Sequence, residues 1–545
     1  MNFSNIDYVV FALYIIGIVG LGLYVSRNKK GHEKDSKDYF LAGNSLTWWA
    51  IGASLIAANI SAEQIIGMSG SGFAGGLAIA SYEWMAALTL IIVGKYFLPV
   101  FIEKKIYTIP EYIEKRYNKT LKTILAIFWI FLFIFVNLTS VLFLGAKALD
   151  TIMGVGDGTL ILPFIVLLGV IAAAYSLYGG LSAVAWTDVI QVILLVLGGI
   201  IATVIALDHV TPDGGVIAGM SHLFDTAGDR FDMILDRSHP EFDNLPGIAV
   251  LVGGMWIANL YYWGFNQYII QRTLAAKSLK EAQKGIAFAA FLKLIIPLIV
   301  VVPGIIVYVL YMQPEGTAVI DGIRDSFAKG DGGINYDKAY PWLISHFIPV
   351  GLKGVVVAAL TAAIVSSLAS MLNSTATIFT MDIYKPYIGK DKSEKQLVKV
   401  GRMSAAIALI IGGLVAPLLS SVPQAFQYIQ EYTGLVSPGI LAVAMLGLFW
   451  KKVTTRGAIY GALLSIPVAL FLKLDFIGLP FMDQMLYTFL ISIVIIAMVS
   501  LTTSDVDDDK NGISLTSEIF VTERAFNIMA YTILLILAVL YTVFW

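Results

Sequence analysis

The sequence predicts an all-α integral membrane protein with about 14 transmembrane helices, and three observations carry that reading. Hydrophobic residues make up 58% of the 545 and charged residues only 14%, with a mean hydropathy of +0.80. A soluble chain is nearer half apolar and a quarter charged. Apolar runs of about 20 residues recur along the whole length, each long enough to cross a hydrocarbon core of roughly 30 Å. Basic residues gather in alternate loops, as the positive-inside rule requires. The net charge of -2 points to no nucleic acid and no strongly charged partner. With no cysteine, disulfides, thiolate metal sites and cysteine nucleophiles are excluded.

Taken in order, the candidate spans lie near 6–26, 48–72, 77–102, 120–148, 159–178, 184–207, 247–270, 285–311, 351–380, 403–421, 424–449, 454–472, 482–502 and 525–545. The first is followed by Arg27, Lys29 and Lys30 where a signal peptide would have a small-residue cleavage site, so it is read as a retained helix. Basic clusters follow at Arg27, Lys29, Lys30, Lys34 and Lys37; at Lys104, Lys105, Lys115, Arg116 and Lys119; at Arg272, Lys277, Lys280 and Lys284; and over 385–402. All fall on one side of the span pattern. That side is expected to be cytoplasmic, with both termini extracellular or periplasmic in a multi-pass cell-membrane protein. The opposite loop over 208–243 holds eight acidic residues and two basic ones. Asp505, Asp507, Asp508 and Asp509 dissent, but acidic residues count little in this rule. No loop is long enough for a further domain, so 1–545 reads as one polytopic unit.

Polar groups inside spans are costly and mark candidate sites. In the second span Ala57-Ala58-Asn59-Ile60-Ser61-Ala62-Glu63-Gln64 interrupts an apolar run, with Gly67, Gly70 and Gly72 behind it. The seventh has Gly253-Gly254, then Asn259, Tyr261, Tyr262, Trp263, Gly264, Asn266 and Gln267. Both read as unwound segments whose freed carbonyls want a partner such as an ion. Five spans separate them, which suggests two repeats, 48–207 and 247–449, preceded by an extra helix (6–26) and followed by three (454–545). In the ninth span Ser366, Ser370, Asn373 and Thr377 share a helical face. Interhelical packing accounts for that stripe, while Ser366 and Ser367 are also open to an ion-ligand reading. Glu83, Lys293 and Asp188 are ionisable residues inside spans, each either a structural charge or part of a wet cavity. With Gln64, Asn259, Gln430 and nearby aromatics they offer the fixed polar groups and ring faces that a hydroxyl-rich ligand needs.

At these residues the chain resembles the sodium/solute symporter family, and within it the bacterial sodium/galactose transporters. The stretches that carry the resemblance are SLIAANISAEQ (54–64), SYEWM (81–85), NLYYWGFNQYIIQRT (259–273), AAIVSSLASMLNSTATIF (362–379), QAFQYIQEYTGLVSPGILA (424–442) and GLFWKKVTTRGA (447–458). The resemblance implies inverted five-helix repeats of the leucine transporter type. It implies a sugar site of Gln64, Glu83, Asn259, Lys293 and Gln430, with Tyr262 stacking on the sugar and Asn59 as its partner. Met68, Tyr82 and Phe426 match an outer hydrophobic gate. A co-transported sodium ion would sit on the carbonyls of Ala57, Ile60 and Ala363 and the hydroxyls of Ser366 and Ser367, with Asp188 on its exit route. Ala86 departs from the pattern, because galactose transporters have a serine there.

The expected function is sodium-coupled symport of a hexose, galactose first and glucose close behind, by alternating access. A symporter of the same fold for a polyol, amino acid or carboxylate is the alternative. A solute sensor would need an effector domain, and the chain ends at Trp545 in or just after a span. An enzyme is not expected: there is no HExxH, and the five histidines, His32, His209, His222, His239 and His346, fall in loops or near span ends. Oligomeric state is left open.

Overall fold

The structure is a computed structural model and describes residues 3–25, 27, 39–40, 42–106, 108–153, 158–211, 213–314, 322–328, 332–421, 425–474, 476–503 and 511–545. Lys29, Lys30, His32, Lys34, Lys37, Asp505, Asp507, Asp508 and Asp509 lie outside the described residues. Among the described residues the only β-type pairings are two isolated bridges, Leu46 with Ala276 and Ala328 with Ile334. Helices pair their own backbone groups, which is why apolar runs of this length fold this way in lipid. Among the described residues ten helical stretches are long and apolar enough to cross a membrane. The 159–178 and 424–449 regions hold shorter apolar helical segments, Ile161–Ala174 and Ser437–Phe449. The 48–72 and 247–270 regions are the two interrupted ones.

Burial sets the layers. The apolar window of Leu352–Tyr387 is 94% buried, against 17% for Asn5–Val25 and 22% for Arg524–Val543. The first is the bundle centre and the other two face outward. Helix Leu352–Thr377 packs on Leu181–Asp208, Ile161–Gly179 and Glu394–Val415. Helix Leu279–Met312 packs on Trp48–Asn59, Ser69–Gly75 and Ser81–Ile92. Small residues permit the second contact, as expected where helices meet without water to drive them together. A Cβ on Gly304 would lie 2.0 Å from the Ser69 carbonyl oxygen, and one on Gly52 would lie 2.8 Å from that of Gly285.

The two interruptions are narrower than the sequence suggests. Helix Trp48–Asn59 stops at Ile60 (φ -78, ψ 94), and the chain resumes as a π-helical turn, Glu63–Met68, running into Ser69–Gly75. The seventh region breaks at Gly253 (φ -121, ψ -126) and again at Asn266 (φ -81, ψ 119), leaving Gly254–Phe265 intact between them. The polar run Asn259–Gly264 is therefore helical. Asparagine's short side chain competes with the backbone for hydrogen bonds, which suits Asn266 to the break.

Two arginines read as loop charges are interior. Arg116 donates from Nε to the Gly447 carbonyl at 3.0 Å and from Nη2 to those of Trp450, Lys451 and Val453 at 3.3, 3.1 and 2.9 Å. It satisfies carbonyls at the end of helix Ser437–Phe449, which have no helical partner. Arg272 lies in helix Gln267–Leu274 beside Asp188. Lys104, Lys105, Lys115, Lys277 and Lys280 are exposed.

Candidate substrate and ion site

A cavity of about 50 Å³ opens where the two interrupted helices face each other. The π turn brings Gln64, helix Ser81–Ile92 brings Tyr82, Glu83 and Ala86, and helix Gly254–Phe265 brings Asn259, Tyr262 and Trp263. Lys293 comes from Leu279–Met312, and Phe426 and Gln430 from Ala425–Gly434. Every residue assigned to a sugar site thus lines one cavity, together with Asn59. Ala86 lines it too, so the departure from the galactose pattern falls on the cavity wall.

Glu83 and Lys293 are not separate intramembrane charges. They are 3% and 1% exposed, and Lys293 Nζ lies 2.5 Å from Glu83 Oε2. The ammonium also donates to Asn59 Oδ1 and sits 5.2 Å from the centre of the Trp263 ring. Asn59 Nδ2 donates to the Tyr262 hydroxyl at 2.9 Å, and the Tyr268 hydroxyl donates to the same oxygen at 2.6 Å. Charge, amide and phenol therefore form one chain across the cavity. Gln64 Oε1 accepts from the Ser61 hydroxyl at 3.0 Å. Asn259 donates to the Met255 carbonyl and accepts from the Trp263 indole, each at 3.2 Å.

One wall is aromatic. The Tyr82 and Phe426 rings meet edge to face with centroids 5.1 Å apart, and Met68 is fully buried on the π turn. Helix Ala425–Gly434 presses on that turn: a Cβ on Gly67 would lie 2.6 Å from the Phe426 Cβ. A cavity this size holds a few waters.

The second candidate site lies at the end of helix Trp48–Asn59, whose last carbonyls have no helical partner. The Ser367 hydroxyl donates to Ala58 O at 2.8 Å and approaches Ala57 O at 3.4 Å. Ile60 is the first residue past the helix end, and Ala363 lies one turn before Ser367. The Ser366 hydroxyl donates to Asp188 Oδ1 at 2.5 Å, and that of Ser54 donates to Oδ2. A hydroxyl that gives away its proton keeps lone pairs for a cation. Of the five expected ligands, the hydrogen bonds bring together Ala57 and Ser367, and oxygen donors of this kind suit a hard cation.

Asp188 is completely buried, and its carboxylate lies 3.6 Å from Arg272 Nη2. Arg272 Nε donates to the Ser54 hydroxyl at 2.7 Å, and Nη2 donates to the Ser370 hydroxyl. Ser370 in the serine stripe thus faces a buried arginine. The Ser374 hydroxyl donates to Gln271 Oε1 at 2.8 Å, and Gln271 Nε2 to the Thr377 hydroxyl at 3.1 Å. Sequence reasoning missed Arg272 and Ser54 here. Arg272 stands three residues before the turn that enters a lysine-bearing loop, and nothing local marks it as interior.

Residues 39–465 match the sodium:solute symporter family. A sodium/glucose cotransporter of Vibrio parahaemolyticus is 65% identical over 542 residues, covering 99% of this chain and 98% of that one. A sodium/myo-inositol cotransporter 2 of Bos taurus is 34% identical over 500 residues, covering 88% and 72%. Among solved structures, a Na+-coupled sialic acid symporter in a substrate-bound outward-open state superposes with a TM-score of 0.78 at 25% identity, covering 92% of this chain and 99% of that one. Mhp1, a nucleobase-cation-symport-1 family transporter, shares the fold with a TM-score of 0.52 at 15% identity, covering 88% and 99%. The architecture is the all-α leucine transporter type. With a family match over most of the chain and a relative this similar end to end, the protein belongs to the sodium:solute symporter family.

Proposed function

We propose that this chain moves a hexose, galactose or glucose, across the cell membrane together with sodium. The observation that carries this is the cavity lined by Gln64, Glu83, Asn259, Lys293 and Gln430 with the Tyr262 and Trp263 rings. Amides, a paired ammonium and carboxylate, and aromatic faces match the hydroxyls and apolar ring face of a pyranose. Lys293 is already neutralised by Glu83, so a carboxylate solute has no free cation to meet. Glucose is named for the Vibrio relative and myo-inositol for the bovine one. A polyol is therefore the second reading, and the missing hydroxyl at Ala86 bears on the choice.

Sodium binds at Ala57, Ile60, Ala363, Ser366 and Ser367 and holds the end of helix Trp48–Asn59 against Leu352–Thr377. That fixes Asn59, the last residue of this helix, and Gln64, four residues past Ile60, for the sugar. Met68, Tyr82 and Phe426 close the outer side, and Tyr262 with Asn59 closes the inner. The repeats 48–207 and 247–449 then rock, and sodium leaves past Asp188. The chain crosses the membrane fourteen times, with 6–26 and 454–545 flanking the repeats and both termini outside. Binding of labelled galactose to purified protein, with and without sodium, tests the substrate. Displacement by glucose and galactose but not by amino acids or carboxylates is expected. Displacement by myo-inositol alone replaces the hexose with a polyol, and binding indifferent to sodium overturns the coupling.

A further inference from the structure

Glu63 is a buried carboxyl that the ion and sugar sites do not use. It opens the π turn Glu63–Met68 and precedes Gln64, yet its side chain points away from the cavity wall to Ser140 of helix Thr139–Ile152. Ser140 Oγ lies 2.5 Å from Glu63 Oε1, 2.6 Å from the Val136 carbonyl oxygen and 3.1 Å from that of Asn137. A serine hydroxyl has one proton to give, while an ionised carboxylate and a carbonyl only accept. If Glu63 is ionised, one of the two closest contacts sets oxygen lone pairs against each other with no proton between. If Glu63 is protonated, its O–H donates to Ser140 Oγ and Ser140 donates to Val136, and both close contacts are hydrogen bonds.

The surroundings agree. Among the described residues no basic side chain pairs with Glu63. The titratable groups in its electrostatic reach are the phenols of Tyr262 and Tyr268. Charged groups on the elements packed around the π turn are engaged elsewhere: Lys293 with Glu83, Glu431 with Lys473, Lys147 with Asn335, and Lys338 with the Ser326 carbonyl. Asp150 accepts from the Gly158 and Leu160 N–H groups, and His346 bonds the Trp342 carbonyl. Asp337, also interior, adds a further acid and no cation.

We propose that Glu63 is a proton site: it holds a proton while helix Ala425–Gly434 is closed over the π turn, and ionises when that helix opens and admits water. Closure then requires the proton to return, so alkaline medium slows uptake. The proton is not the coupling ion, since it enters and leaves on the same side. The proton site rests on Glu63 and Ser140; its effect on uptake rests on the transport function proposed above.

Infrared difference spectra of the full-length protein in liposomes, wild type against Glu63→Gln, test the site. A glutamine amide donates to Ser140 as the protonated acid does, so this variant keeps the closed packing. A protonated-carboxyl band at neutral pH in the wild type, lost in Glu63→Gln, is expected. Ser140→Ala, which removes the acceptor, is the second variant and shifts the band if Glu63→Gln does not fold. Uptake between about pH 6 and about pH 9 falls with rising external pH in the wild type and stays flat in Glu63→Gln. A band unchanged by both substitutions overturns the proton site, and a pH profile unchanged by Glu63→Gln overturns the switch. If the band behaves as expected but neither protein takes up hexose, the substrate reading has failed and the proton site stands.

Discussion

Removing Lys293 leaves Glu83 as an uncompensated carboxylate in a closed cavity, which costs roughly 3–5 kcal/mol. Lys293→Ala should therefore lose both sugar uptake and thermal stability. The double variant Lys293→Met, Glu83→Gln removes both charges together. It should recover the melting temperature and still take up no sugar. A double variant with wild-type uptake would show that the pair is structural only. The proposed sodium ligands separate differently. Ser367 offers a hydroxyl beside the Ala57 and Ala58 carbonyls and does not line the sugar cavity. Loss of one ligand worth about 1–1.5 kcal/mol raises the sodium needed for half-maximal uptake of Ser367→Ala about tenfold. The order of preferred sugars should not change. An unaltered sodium curve would move the ion elsewhere.

Elements were readable from the sequence to different depths. Apolar runs gave the helices because length and hydropathy alone decide whether a segment suits lipid. Polar residues and glycines pointed to both interrupted helices. Gly253 was legible as a break, but the one at Ile60 was not, because an isoleucine in an apolar run differs from its neighbours in backbone torsion and not in composition. The residues proposed for the sugar were legible as polar groups in apolar runs, and the structure gathers them on one cavity. Their pairings were not legible, since Glu83 meets Lys293 and Asp188 meets Arg272 only across helices distant in the chain. Close helix contact was also hidden, because glycine signals space without saying what fills it. Gly304 is a direct probe of it: backbone lies on both sides of the contact, so no side chain can rotate away. Gly304→Ala should destabilise the detergent-solubilised protein by about 1–3 kcal/mol. A melting curve matching the wild type would mean that helix Leu279–Met312 and the Ser69–Gly75 segment are not held this closely.

For the whole molecule, orientation is the first requirement, because sodium must enter from the side where it is abundant. The native chain has no cysteine, so single cysteines report position without background. Cysteines replacing the exposed Lys277 and Lys392 should react only from the cytoplasmic side, and one replacing Asp236 only from outside. Labelling of Lys277 and Lys392 positions from opposite sides would break the proposed fourteen-span topology. Transport then draws on the gradient and on the potential, which supplies about 2.3 kcal/mol per charge per 100 mV. Coupling of sugar movement to sodium is the central requirement. Purified protein in liposomes, given labelled galactose or glucose and an inward sodium gradient, should accumulate the sugar above its outside concentration. Collapsing the gradient should release it. Equal accumulation with sodium absent, or full accumulation driven by a proton gradient alone, would contradict sodium-coupled sugar symport.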